Sequence, residues 1–225
     1  MRVLSFFVLI LFTVFYACKN DSAIKMPKFK LPEVFDTLKG ELENRKAFSL
    51  QTANYKCLYL GKNQDSVYVR IPKEDEAYTT DFRGNDIESG PEDITIFIDT
   101  TKVISNHTLL EGKIGEELVQ KKYKAFPVVV VNKGKDTLNI GSGNYLRLLL
   151  EAKNPSGYWI PIEDKYMYFC GTFLRSIRLP PGRIAVTSVP IDNGKFKTKL
   201  RLRLNKDIIS HEFSGVINKE QFEIK

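Results

Sequence analysis

The chain is poor in the residues on which most enzyme chemistry depends: two histidines, three cysteines, three methionines and one tryptophan in 225 residues. Any histidine-dependent mechanism must therefore use His107 or His211. Ser210-His211-Glu212 sets three suggestive side chains in a row. Neighbours on a strand point to opposite faces, however, and cannot form a relay of nucleophile, base and orienter. No Gly-x-Ser-x-Gly elbow accompanies them, so they read as exposed turn residues. Gly141-Ser142-Gly143-Asn144 has too few glycines for a phosphate cradle and runs on into the strand-like Tyr145-Leu146-Arg147-Leu148. A cradle needs a helix opening behind it, so this segment reads as a turn. The carboxylates between Asp81 and Asp93 lack the spacing of a recognised calcium loop and read as solvated charge. Glu151, Glu163 and Asp164 could serve glycoside hydrolysis only if the fold brought two of them within about 5 to 10 Å across a cleft. Internal repeats and low-complexity segments are absent as well.

Long apolar runs are missing except at the start, where Arg2 precedes Val3 to Tyr16 and the polar Lys19-Asn20-Asp21-Ser22 follows Cys18. A membrane-spanning helix needs about 20 apolar residues, and this run is shorter, the length of a signal-peptide core. Ordinary secretory cleavage wants small side chains at the cut and two residues before it, but Phe15 and Tyr16 are bulky and only Ala17 is small. The Ala17-Cys18 junction instead resembles a lipobox, so residues 1–17 are expected to be removed and Cys18 to carry the lipid.

Removing 17 of the 225 residues leaves 208, enough for a genuine core, and stability calls for no cofactor. Loss of Arg2 lowers the net charge from +7 to +6. This mild excess suits an anionic surface or polyanion, and outside the cytoplasm nucleic acid is not an expected partner. Two readings stand for Cys57 and Cys170: a single bridge, which an oxidising compartment permits, or two buried unpaired thiols.

Residues 18–46 are charged and proline-punctuated and read as a lipid-anchored tether, with a short helical turn near Val34 to Leu42. Residues 47–105 read as a β-hairpin region, with Tyr55 to Leu60 and Ser66 to Ile71 as its arms and a further strand at Ile94 to Ile98. Residues 106–225 read as a sandwich, with one or two helical turns between Glu116 and Lys122. Strand-like runs at Phe126 to Val131, Thr137 to Ile140, Tyr145 to Ala152, Tyr158 to Ile162, Thr172 to Leu179, Ile184 to Val189, Phe196 to Leu204 and Phe213 to Ile217 are separated by turn chemistry. No crossover helix fits between them, which excludes a doubly wound parallel sheet. The expected class is all-β and antiparallel. Trp159 is expected in the core, with stacking on a sugar as the alternative.

Lys19 and Asp21 after the cysteine, then Pro127-Val-Val-Val-Val-Asn132, Asp136-Thr-Leu138, Leu150-Glu-Ala152, Gly157-Tyr-Trp-Ile-Pro161 and Gly194-Lys-Phe-Lys-Thr-Lys-Leu-Arg201, resemble surface lipoproteins of the Bacteroidota that carry immunoglobulin-like β-sandwiches. The likeness covers most of Phe126 to Phe222. It implies lipid anchoring in the outer membrane or at the cell surface, and brings no catalytic residue with it. Asp-Ser/Thr-hydrophobic triplets at Asp21, Asp36, Asp65 and Asp136 are similar to the O-glycosylation sequon of the same group. Turn residues entering strands explain Asp65 and Asp136 equally well.

In Lys195 to Leu204 the odd positions are all cationic, while Phe196, Leu200, Leu202 and Leu204 occupy even ones. On a strand this period of two sends the apolar set inward and lines up Lys197, Lys199, Arg201 and Arg203 outside, about 7 Å apart. Such a row is tolerable when water screens it, when carboxylates such as Glu151 or Glu163 pair with it, or when a polyanion binds across it. The expected function is a non-enzymatic binding or assembly module on a lipid anchor, contacting another envelope protein, a glycan or a polyanion. The alternatives are an envelope carbohydrate-active or other hydrolase and a purely structural lipoprotein. Because the Cys18 thiol is the expected acylation point, Cys18→Ser should accumulate uncleaved precursor or a product missing from the detergent phase. Processing and partitioning like wild type would contradict lipidation.

Overall fold

The computed structural model describes residues 30–36, 41–46, 52–69, 92–107, 122–165 and 176–223. The signal peptide, Cys18, Cys170, most of the acidic stretch before Glu92 and the helical turns expected before Lys122 lie outside them. Among the described residues the chain is all-β, with one short 3-10 turn at Lys219–Glu223 and no helix long and apolar enough to cross a membrane.

Two antiparallel sheets form the sandwich. In the first, β12 (Arg183–Pro190) and β6 (Lys122–Asn132) are central, β2 (Tyr59–Lys62) flanks β12, and β4 (Ile94–Ile98) and β5 (Ile104–His107) both pair with β6. In the second, the order is β10 (Trp159–Pro161), β9 (Leu149–Lys153), β13 (Phe196–Arg203) and β14 (Phe213–Ile217). Alternation along each strand places Ile96, Val128, Val130 and Ala185 of the first sheet in one buried cluster with Leu150, Ala152, Leu200 and Leu202 of the second. Phe126 meets Phe213 edge to face, with ring centroids 6.3 Å apart, between β6 and β14. The other face of β6 and β12 is buried too, through Val129, Val131, Ile184 and Val186. That double burial is why both strands read as continuous apolar runs rather than alternating ones.

A three-stranded sheet of β11 (Ser176–Leu179), β7 (Leu138–Ser142) and β8 (Tyr145–Leu146) adds Leu138, Ile140, Leu146, Ile177 and Leu179 to the same core. Gly143 takes a φ of +56° in the two-residue turn that joins β7 to β8, a conformation open to glycine at little cost. The run expected as one strand from Tyr145 to Ala152 is thus split. β8 stays with β7, and after Arg147-Leu148 the chain crosses into the second sheet as β9.

Two expectations near the N-terminus are corrected. The arms of the expected hairpin do not pair with each other: β2 lies against β12, while β3 (Ser66–Val69) runs parallel to β1 (Glu33–Asp36). Of the helical turn expected near Val34 to Leu42, residues 34–36 are strand instead, with Val34 buried and Phe35 stacked on Tyr68 at 5.4 Å, and residues 37–40 lie outside the described residues. Residues 33–36 and 41–46, within the stretch read as tether, belong to the compact unit that begins at Leu31. β4 and β5 share a sheet with β6, so the stretches 47–105 and 106–225 contribute to one core.

Arg45 ties this strap down. Its backbone N–H donates to the Ile191 carbonyl, and its carbonyl accepts from the Asn193 N–H. Its guanidinium lies 2.7 Å from Asp192 and 3.5 Å from Glu163. Glu163 also accepts from the Tyr55 hydroxyl at 2.6 Å and the Leu150 N–H at 3.2 Å. All four side chains are buried. Burial pushes the Glu163 carboxyl above its ordinary range against the pull of Arg45 and Tyr55, and burial beside Glu163 pushes the Tyr55 phenol well above its own.

Cys57 is a free thiol with no solvent exposure, donating to the Tyr59 carbonyl at 3.4 Å. Burial pushes its pKa up to about 12, so the nucleophilic thiolate is almost absent at neutral pH. In a Cys170→Ser background, Cys57 should resist a thiol reagent at pH 8 until denaturant unfolds the chain. Rapid labelling of the folded protein would contradict this burial.

Candidate functional site

The outer face of the second sheet gathers most of the residues singled out from sequence. Strand alternation on β13 holds in the structure: Lys197 and Lys199 are exposed, Arg201 and Arg203 half-buried, and Leu200 and Leu202 buried. Register places Glu151 of β9 opposite Arg201, and Lys153 opposite Trp159 of β10. Residues facing each other across a ladder share a sheet face, so Trp159, Glu151 and Lys153 join the four cations of β13 on one surface. Five cations thus gather on this surface around the carboxylate of Glu151.

Those cations divide into two kinds. Arg201 Nε and Arg203 Nε each lie 2.7 Å from a different oxygen of Glu151, whose side chain is almost wholly buried. The two guanidiniums thus satisfy a carboxylate that would be costly to bury alone. Lys199 donates to the Ser214 hydroxyl at 3.2 Å, and both it and Lys197 stand in water. Beside them Lys153, Phe196, Lys197, Lys199 and Ser214 line an open depression of about 320 Å3 with three cations and, among the described residues, no carboxylate.

Trp159 corrects the core expectation. It is half-buried on the outer face, with the Arg201 guanidinium 4.2 Å from its ring centroid and the Lys153 ammonium at 5.6 Å. The register with Lys153 sends Trp159 outward and its neighbour Ile160 toward Ala152 and the core. A ring already covered by cations is not open for sugar stacking on that side. Lys153 was missed from sequence. Its signal was the two-residue spacing from Glu151, which becomes legible only once the β9–β10 turn fixes which residues face one another.

The remaining candidates are committed elsewhere. Glu163 belongs to the Arg45 network, and Glu151 to Arg201 and Arg203, so each carboxylate is buried against cations rather than facing an open cleft. Ser210 is also structural. Its hydroxyl accepts from the Leu202 N–H at 2.9 Å and donates to the His211 carbonyl at 2.8 Å, while the His211 side chain is exposed. Among the described residues no group of three or more histidine, cysteine, aspartate or glutamate side chains is placed to hold a metal ion. No protein-family model, curated protein or solved structure matches the chain.

Proposed function

We propose that this chain is an envelope lipoprotein, anchored in the outer membrane through lipid on Cys18, that uses the outer face of its second sheet to hold an acidic glycan. The reading extends the likeness to Bacteroidota surface lipoproteins with immunoglobulin-like sandwiches. The observation that carries it is the charge of that face: five cations gathered around Glu151, whose carboxylate Arg201 and Arg203 already neutralise. A row of cations along a strand, about 7 Å from one to the next, suits the repeated charges of a polymer better than a single small ion. Lys197, Lys199 and Lys153 supply the free charge, and Arg201 and Arg203 supply the rigid floor.

This division makes the test specific. Retention of the protein on heparin, a convenient acidic polysaccharide, should fall with rising salt. In Lys197→Gln/Lys199→Gln, elution should move to lower salt with Tm unchanged, and the logarithmic salt dependence should be shallower by about two charges. Arg201→Gln should instead lower Tm, because Glu151 would lose one of its two cations. Salt-insensitive retention, or elution of the lysine variant with wild type, would contradict the proposal.

A further inference from the structure

A second cationic site lies where the two sheets part. The chain leaves the three-stranded sheet at Leu146 and enters the second sheet at Leu149. On the facing side the end of β13 runs into a turn in which Asn205 accepts from the Asp207 and Ile208 N–H groups at 3.0 and 2.9 Å. Between them opens a cleft of about 560 Å3, within the size range of small-molecule sites.

Its lining is of two sorts. Leu146, Leu148, Leu149 and Leu204 supply an apolar floor. Three of these are buried core residues and Leu204 packs against the same core. Arg147, Lys165, Arg203 and Lys206 supply the charged part of the lining, and no carboxylate is among the described lining residues. Arg147, Lys165 and Lys206 are exposed, and Arg203 is the one cation shared with the outer face, through Glu151. Arg203 is offset by Glu151, but three further cations around an apolar floor are electrostatically unfavourable together unless solvent or an anion offsets them.

We propose that this cleft binds a phosphorylated lipid, with the acyl chain along the leucines and a phosphate monoester among the cations. A monoester carries close to two negative charges at neutral pH, which answers several cations better than a single carboxylate does. Arginine adds the planar fork that matches phosphate oxygens. The leucine floor gives an apolar chain a place that a sugar phosphate would leave empty.

The test is calorimetric titration of the full chain with octyl phosphate below its micelle-forming concentration, beside octyl glucoside and inorganic phosphate. One octyl phosphate should bind per chain, tighter than either comparison compound. Arg147→Gln/Lys206→Gln, which alters two exposed side chains, should weaken it about tenfold while leaving Tm unchanged. Lys197→Gln/Lys199→Gln should bind it like wild type, so failure of the outer-face proposal leaves this one standing, and the reverse. Equal affinity for octyl glucoside would show an apolar site only, and equal affinity for inorganic phosphate an anion site only. Either result, unsaturable uptake, or an unaffected Arg147→Gln/Lys206→Gln variant would overturn the proposal.

Discussion

One buried guanidinium fixes the relation between the N-terminal strap and both sheets. Asp192 follows β12 of the first sheet, Glu163 follows β10 of the second, Tyr55 precedes β2, and Arg45 lies among them. Taking an arginine and two carboxylates out of water is expensive, and only good geometry with further hydrogen bonds repays it. Those bonds are present. Asp192 faces both Nε and Nη2 of Arg45, and Glu163 is held by a phenol and a backbone N–H. The upward shift of Glu163 follows chiefly from this burial, to which the neighbouring Asp192 carboxylate adds, against the pull of Arg45 and Tyr55. An apolar cluster of similar volume could fill this space in several registers. A fork with two oxygens at one end and a hydrogen-bonded carboxylate beside it has one arrangement.

The same physics separates paired from solvated cations on the outer face. Arg201 and Arg203 look like their lysine neighbours in sequence, but they are spent on Glu151, whereas Lys197 and Lys199 face water. A buried carboxylate needs its cations, and an exposed lysine pair gains little from anything within the protein. In the proposed reading, binding therefore falls to the residues with the fewest internal commitments. The phosphate cleft follows the same rule, with Arg147, Lys165 and Lys206 exposed around an apolar floor.

Local patterns were legible before the structure, and non-local pairings were not. Ile94–Ile98 is a strand with the expected bounds, and the alternation of Lys195 to Leu204 is reproduced in burial because a period of two has one structural meaning on a strand. The β1–β3 pairing escaped because Glu33–Asp36 and Ser66–Val69 lie far apart in sequence and run parallel, without a turn to announce them. The switch of sheets after Leu146 escaped because no glycine or proline marks the break, where a single exposed Arg147 interrupts the run from Tyr145 to Leu150. Arg45 looked like one more charge in a charged segment. Its partners are 118 and 147 positions away, and nothing local distinguishes a buried arginine from a solvated one. Trp159 was misplaced because composition favours a core tryptophan, while its side of the sheet is set by pairing with Lys153.

The latch can be tested most directly by a double-mutant cycle of Arg45→Met and Asp192→Asn, followed by denaturant unfolding. Removing one partner of a buried pair costs roughly 3 to 5 kcal/mol, and two residues in contact do not act independently. Each single variant should lose stability on that scale, and the double variant should lose little more than either one. Additive losses, or singles within about 0.5 kcal/mol of wild type as for ordinary surface substitutions, would show that the strap is not held by this network.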